Sequence, residues 1–325
     1  MRMAGEPLSS DPHDSALPSA VRSADLHVGT PANRLDGVVK VLRPHQWAKN
    51  ALVALPVLLA PGAPTRAQVL AAIFAVVSFS LCASAGYVFN DMMDVDADRA
   101  HRTKRRRPFA SGQLPLKYGP PLFVALFASS MVIPLAALPI AFVGMLLIYF
   151  AMTLIYSYAL KSKLMADVVV LAWLYTHRVL SGGVATGIPI SAWLLAFSMF
   201  IFSSLAFAKR YVELQQAELG QLKSRGYRTT DLEMVASMGP SAGYMAVLVI
   251  CLYVDSETVA RIYRAPALLW LIAPVLLYWI SRVWFLAHRG EMQDDPVKFA
   301  LTDSRSWICG LALTVIAALA RFWPF

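Results

Sequence analysis

From Val38 onward the chain carries nine apolar runs, at roughly 45–62, 67–90, 119–135, 138–156, 165–186, 191–207, 241–256, 267–286 and 306–322. Runs of this kind satisfy their backbone inside a bilayer only as helices. The pattern therefore predicts an all-α fold, a polytopic membrane helical bundle of about nine transmembrane helices. Several runs are shorter than the ~20 residues of a full span, so their edges shift by a few residues. Runs 119–135 and 138–156 are split by Ala136 and Ala137 alone, a connection suited to adjacent antiparallel helices. With 58% hydrophobic and 15% charged residues, the chain has too little surface charge for a soluble α/β enzyme. The three cysteines, Cys82, Cys251 and Cys309, have neither disulfide nor zinc spacing and read as small apolar residues.

Residues 1–36 are rich in Ser, Pro, Asp and Ala and contain no apolar run. They read as a disordered cytoplasmic tail rather than a signal peptide, and residues 37–325 as one membrane domain. The net charge is +9. In a soluble protein that would suggest a nucleic-acid partner. Here the bases lie between apolar runs, so loops and anionic ligands account for them and no nucleic acid is expected. With the N-terminus in the cytoplasm, the loops after spans two, four, six and eight hold seventeen Lys and Arg. The opposite side holds four, Arg66, Arg261, Arg264 and Arg321, which is the positive-inside bias. The basic loops are also the long ones, where chemistry is expected.

The first of them opens with Asn-Asp-Met-Met-Asp-Val-Asp-Ala-Asp from Asn90 to Asp98. On a helix Asn90, Asp91, Asp94 and Asp98 share one face, while Asp96 points away. Carboxylates at i, i+3 and i+7 repel one another unless a cation joins them. Oxygen-only ligands suit Mg²⁺, which takes substrate phosphates as further ligands. Arg102, Lys104, Arg105, Arg106 and Arg107 follow at once. Acids that hold metal beside bases that cover phosphate oxygens suit a polyanionic phosphate ligand. The plainer reading of Arg105–Arg107 is topology alone.

The series Asn90-Asp91-x-x-Asp94-x-x-x-Asp98-x-x-His101-x-x-Lys104-x-x-Arg107-Pro108 resembles the first aspartate-rich motif of the UbiA superfamily of intramembrane prenyltransferases. His101-Arg102 stands where that motif usually has His-Pro. The resemblance covers about residues 38–325. It implies a helical bundle around a central cavity, open to cytoplasm and lipid, in which Mg²⁺ on Asp91, Asp94 and Asp98 binds a diphosphate.

Prenyltransferases of the superfamily carry a second aspartate-rich motif after span six. Here that loop reads Phe-Ala-Lys-Arg-Tyr-Val-Glu-Leu from Phe207 to Leu214, and Gly-Tyr-Arg-Thr-Thr-Asp from Gly226 to Asp231. Lys209, Arg210 and Glu213 cluster on one helical face instead, either as a basic wall for a second, metal-free phosphate or as an intrahelical ion pair. The chain is similar in this respect to the decaprenyl-phosphate phosphoribosyltransferase branch. The matching residues are Arg43-Pro44-x-x-Trp47-x-Lys49-Asn50, the Asn90–Pro108 series, Tyr156-Ser157-x-x-x-Lys161, Lys209-Arg210-x-x-Glu213 and Tyr227-Arg228-x-x-Asp231. That resemblance implies transfer of 5-phosphoribose from phosphoribosyl diphosphate (PRPP) to a polyprenyl phosphate. It also implies a multi-pass protein of the bacterial inner (cytoplasmic) membrane with a cytoplasmic active site and a role in cell-envelope biosynthesis. A homo-oligomer is compatible with it.

The acceptor of such a reaction is already anionic, so little general-base help is needed, and the sequence offers no nucleophile–base pair. Candidate substrate-binding residues are Lys49, Asn90, Lys104, Arg107, Tyr156, Lys161, Arg178, Lys209, Arg210, Glu213, Tyr227 and Arg228. Arg178, well inside span five beside His177, either contacts a phosphate, closes an ion pair or makes a structural interhelical bond. Lys161 either meets a phosphate or sets topology. Gly183-x-x-x-Gly187 permits close helix packing. Asp294-Asp295-Pro296 reads as a helix entry. The competing functions are prenyl transfer from a prenyl diphosphate, which the missing second acid motif disfavours, and a non-enzymatic transporter, which would show an internal repeat.

Overall fold

The computed structural model describes residues 31–60, 62–100, 104–218, 226–292 and 296–322, and all regular structure among them is helical. Among the described residues, eight helical segments are long and apolar enough to cross a membrane: 66–93, 116–137, 140–160, 166–186, 192–216, 229–254, 266–288 and 304–322. Their cores are α3 (Arg66–Met93), α5 (Gly119–Ala137), α6 (Ile140–Ile155), α7 (Ala166–Thr186), α8 (Ala192–Glu218), α9 (Leu232–Val254), α11 (Ile272–His288) and α13 (Ser304–Phe322). Shorter helices are α1 (Pro31–Leu42), α2 (Leu55–Leu58), α4 (Val95–Ala100), α10 (Glu257–Ile262) and α12 (Pro296–Thr302). Helices α3 and α7 are the most enclosed, whereas α5, α6 and α13 bury little of their apolar length and form the rim. The expected turn between the third and fourth runs is present, as Leu138 and Pro139 alone separate α5 from α6.

The first expected span departs from an α-helix. Pro44–Ala54 is 3₁₀ and passes into α2. Pro44 and Pro56 bracket the segment, and His45, Gln46, Lys49 and Asn50 make its first half polar. A 3₁₀ turn rises ~2.0 Å per residue against ~1.5 Å for an α-helix, so these fifteen residues reach about 28 Å. That is close to a ~30 Å hydrocarbon core. The stretched segment lies against α3 and α7. On α7, Gly182 permits this approach, since a Cβ there would stand 1.9 Å from the Val53 carbonyl oxygen. Gly187, expected to serve packing, instead ends α7 in the left-handed region at φ 69°.

The N-terminal side also differs. Helix α1 begins at Pro31, so the expected tail boundary at 36 falls inside a helix; residues 1–30 lie outside the described set. Helix α1 is fastened to the loop before α5: Gln113 donates to Asp36 at 2.8 Å, and Arg34 lies 6.0 Å from the Tyr118 ring centre. Hydrogen bonds from Lys40 and Gln113, opposed by slight desolvation, hold the Asp36 carboxyl below its ordinary value.

Candidate active site

The acid face survives the end of α3. Asp94 leaves helical geometry, yet Asp94 N donates to the Asn90 carbonyl at 3.0 Å and Asp98 N to that of Asp94 at 2.8 Å. The i→i+4 register therefore continues into α4 and keeps Asn90, Asp91, Asp94 and Asp98 on one side. Asp91 and Asp98 are buried, and Asp94 and Asn90 half-buried. Two arginines meet the acids. Arg43 donates to both Asp91 oxygens, at 2.7 and 3.0 Å. One Arg107 nitrogen stands 3.0 Å from Asp91 Oδ1 and 2.8 Å from Asp98 Oδ2. Among the described residues no hydrogen bond or ion pair is made to the Asp94 side-chain carboxylate.

Arg43 belongs to the motif quoted above, but spacing gave it no role. It holds φ 51°, ψ 57° immediately before Pro44, a left-handed conformation that costs an L-residue roughly 1–2 kcal/mol. Its guanidinium also lies 5.0 Å from the Tyr87 ring centre.

Asn90 donates to the Ser157 hydroxyl at 3.2 Å. Ser157 sits in a π-turn, Tyr156–Leu160, closed by the Lys161 amide on the Tyr156 carbonyl at 2.9 Å. Such wide turns occur mostly as single-turn bulges and often at functional sites. This one leads from α6 to Lys161 and offers Tyr156 to a second cluster on the far side, where Arg210 approaches its hydroxyl at 3.4 Å.

In that second cluster Arg210 is 1% exposed and Asp167 is fully buried, with 2.5 Å between Arg210 Nε and Asp167 Oδ2. Arg210 also pairs with Glu213. Tyr227 donates to Asp167 at 2.8 Å and accepts from the Met165 amide at 3.2 Å. Burial, then the hydrogen bond to Asp167 and its charge, pushes the Tyr227 phenol well above its ordinary value. Arg228 is exposed, and its backbone amide is held by Asp231 at 2.8 Å. The structure thus brings Arg210, Glu213 and Tyr227 together around an acid that the sequence reading missed. The signal for Asp167 was a lone carboxylate opening an apolar run at a basic end. Lys209, half-buried, lines a mainly apolar crevice with Leu171, Tyr175, Leu205 and Pro296.

Arg178 does not join either cluster. It donates to Asn50 at 3.0 Å, to the Leu174 carbonyl at 2.6 Å and to Tyr149 at 2.9 Å. Asn50 in turn donates to Ser80 at 3.2 Å, and Trp47 to Ser84 at 3.0 Å. Arg43, Trp47 and Asn50 thus run down α3 beside Asp91, Ser84 and Ser80. Eleven residues separate Asp91 from Ser80, and Asp167 from Arg178, placing Arg178 about 16 Å deeper than the carboxylates. Of its expected roles the structural interhelical bond is the one the contacts match; no carboxylate partners it among the described residues. Lys49 and Lys104 are both half-buried. His101, Arg102, Asp294 and Asp295 lie outside the described residues.

The donors Asn90, Asp91, Asp94 and Asp98 suit a hard divalent cation, and Arg107 already puts positive charge within 3.0 Å of two of them. Among the described residues no three acids, histidines or cysteines converge closely enough to enclose an ion as they stand. The donor chemistry fits Mg²⁺, and the arginines hold the geometry in another arrangement.

The profile of the UbiA prenyltransferase family matches residues 50–320. The chain belongs to the UbiA prenyltransferase family. Among solved structures, a UbiA homolog from Archaeoglobus fulgidus bound to DMAPP and Mg²⁺ superposes with TM-score 0.63 at 14% identity, over 87% of this chain and 98% of that one. This establishes the UbiA fold, including the membrane-embedded helical bundle. Decaprenyl-phosphate phosphoribosyltransferase from Mycobacterium tuberculosis is 38% identical over 233 residues, 68% of this chain and 75% of that protein. Nodulation protein NoeC from Azorhizobium caulinodans is 38% identical over 282 residues, 84% and 90% respectively. Uncharacterized protein y4nM from Sinorhizobium fredii is 34% identical over 310 residues, 93% of this chain. The chain spans 60% of the length of y4nM. This UbiA-family protein thus resembles the phosphoribosyltransferase branch, as its motifs implied.

Proposed function

We propose that this UbiA-family protein transfers 5-phosphoribose from PRPP to a polyprenyl phosphate at the basic end of the bundle and releases diphosphate. The observation that carries the reading is the second cluster. Where a prenyltransferase needs a second acid motif, this chain packs Arg210 between Asp167 and Glu213 and sets Lys209 among the residues that line an apolar crevice. The 36–38% identity to decaprenyl-phosphate phosphoribosyltransferases supports it.

In this reading Asn90, Asp91, Asp94 and Asp98 form the diphosphate side. Mg²⁺ bound there would neutralise the leaving diphosphate as a Lewis acid. Lys104, Arg107 and Lys161 grip the phosphates of the donor. Lys49 reaches the same cavity from the stretched first segment. Lys209 holds the phosphate of the lipid. Tyr156 and Ser157 set the spacing between the two sides. The acceptor oxygen attacks already deprotonated, so positioning and charge stabilisation carry the barrier reduction. Arg210, Glu213 and Tyr227 act by holding the loop that presents Arg228. The site faces the cytoplasm of a bacterial inner membrane.

The A. fulgidus homolog bound to DMAPP and Mg²⁺ favours a second reading, prenyl transfer from a prenyl diphosphate to an aromatic or other acceptor. A donor test separates them. Purified protein with Mg²⁺ receives labelled PRPP with decaprenyl phosphate, and separately labelled prenyl diphosphate with aromatic acceptors. Lipid-extractable label from PRPP is the expected result; label from prenyl diphosphate alone replaces the proposal with the second reading.

A further inference from the structure

We infer that Arg43 and Arg107 are resident counter-cations of the acid cluster, so that a divalent cation enters efficiently only together with a diphosphate-bearing ligand. The inference rests on assigning Asp91, Asp94 and Asp98 to a metal diphosphate. It adds that metal and anion bind as one unit and that Arg43 is part of the machinery.

Three observations carry it. The first is charge. Arg43 and Arg107 neutralise Asp91 and Asp98 one for one, through contacts of 2.7 to 3.0 Å. Both carboxylates are buried, so neither is left bare to attract an ion. A free divalent cation entering this set must displace the arginines into unpaired positions or stand beside them in an excess of positive charge. A diphosphate removes that obstacle. It brings the missing anionic charge and offers guanidinium groups new charge-assisted acceptors.

The second observation is freedom of movement. The two arginine side chains are 24% and 26% exposed, whereas Arg210 in the other cluster is 1% exposed. Arg43 and Arg107 therefore have solvent-facing space into which to turn. Tyr87 supplies a second resting surface for Arg43, already 5.0 Å from its guanidinium.

The third is backbone strain at the point of exchange. Arg43 is left-handed without being glycine, precedes a proline, and makes no capping hydrogen bond with its side chain. Such residues persist where surrounding contacts over-determine them and often mark sites that change state. The Arg43 side chain is held by its two-oxygen grip on Asp91 and by the Tyr87 ring beside it. Releasing Asp91 to a metal frees the Arg43 side chain, while Trp47 on Ser84 and Asn50 on Ser80 keep the rest of the segment against α3.

The test is equilibrium dialysis of the full chain in detergent against ⁵⁴Mn²⁺ at fixed free Mn²⁺ activity, with and without inorganic pyrophosphate. In the wild type, pyrophosphate is expected to tighten Mn²⁺ binding by about tenfold or more. Arg43→Gln and Arg107→Gln are each expected to bind Mn²⁺ alone about tenfold tighter than wild type, with the pyrophosphate enhancement reduced. Arg43→Lys and Arg107→Lys keep the charge, so they should retain the enhancement and remain close to wild type for Mn²⁺ alone. Glutamine variants that fold, by thermal unfolding, yet bind Mn²⁺ no tighter than wild type overturn the inference and leave the metal assignment standing. If the glutamine variants do not fold, lysine variants that lose the enhancement overturn it, and lysine variants that keep it support it. A wild type that binds no Mn²⁺ under either condition overturns the metal assignment itself, and the inference with it.

Discussion

Two arginine-centred carboxylate pairs face each other across the Tyr156–Leu160 turn, and they differ in their access to water. Arg107 bridges Asp91 and Asp98 with a quarter of its side chain exposed, and Arg43 doubles it from the other side. Arg210 bridges Asp167 and Glu213 with almost none exposed, and Tyr227 closes the shell. The same three groups therefore serve two ends. A guanidinium at the edge of water can be exchanged for another cation, because leaving costs it little solvation. A guanidinium sealed among apolar helices cannot, because the carboxylate it leaves would be stranded. The first cluster is built for exchange and the second for permanence, holding the α7 entry, α8 and the loop before α9 in one arrangement.

The largest effect should come from setting one cluster against the other. Asp167→Asn leaves Arg210 buried with only the half-exposed Glu213 and should cost about 3–5 kcal/mol of stability, read by thermal or denaturant unfolding in detergent. Asp91→Asn should unfold near the wild-type temperature yet lower label transfer by about 10²-fold or more. If Asp167→Asn leaves stability intact, or Asp91→Asn unfolds the protein, the contrast between the two clusters fails.

The next test removes the buried charges in pairs. Asp167→Leu with Arg210→Met should recover most of the stability lost in Asp167→Leu alone, because a buried ion pair replaced by apolar groups is often close to neutral. A double variant as unstable as the single one would mean that Arg210 does more than satisfy Asp167. A smaller effect is expected from Lys209→Ala, which should raise KM for one phosphate substrate by about tenfold while leaving the other unchanged. Steady-state kinetics with each substrate varied in turn decides it, and equal changes in both would return Lys209 to a structural role.

The smallest effect lies away from both clusters. Arg282 donates to Asp303 at 2.7 and 3.0 Å, and Ser306 adds two more hydrogen bonds. Burial raises the Asp303 carboxyl, but Arg282 and Ser306 together outweigh it and hold the group below its ordinary value of 3.8. Its contribution to stability is therefore complete above that value and fades as pH falls through the depressed one. Unfolding temperatures across this window should drop more in the wild type than in Asp303→Asn, and parallel curves would remove the ion pair from the account.

Much of this was legible in the chain because it depends on local spacing. Apolar runs predict spans wherever a backbone must satisfy itself in lipid, and eight appeared as helices of sufficient length. The i, i+3, i+7 placement of Asp91, Asp94 and Asp98 predicts a shared face, and the hydrogen-bond register keeps it through the break at Asp94. The asymmetry of Lys and Arg marked the end of the bundle at which both clusters lie. The first run, 45–62, was visible as apolar sequence, but its 3₁₀ pitch was not. That pitch follows from packing against α3, where seven residues of the first segment must match eleven of an α-helix, from Arg43–Asp91 down to Asn50–Ser80.

What the tertiary structure alone decided is which charge answers which. Arg43 reaches Asp91 across forty-eight residues, and Arg178 reaches Asn50 across one hundred and twenty-eight. Asp167 and Arg210 meet only because α7 and α8 pack side by side. Periodicity assigns a residue to a face, whereas desolvation is set by everything packed over that face. The sequence by itself determined the spans, the basic end and the acid face. Burial decided that Arg210 would be held permanently and that Arg43 and Arg107 would keep the freedom to leave.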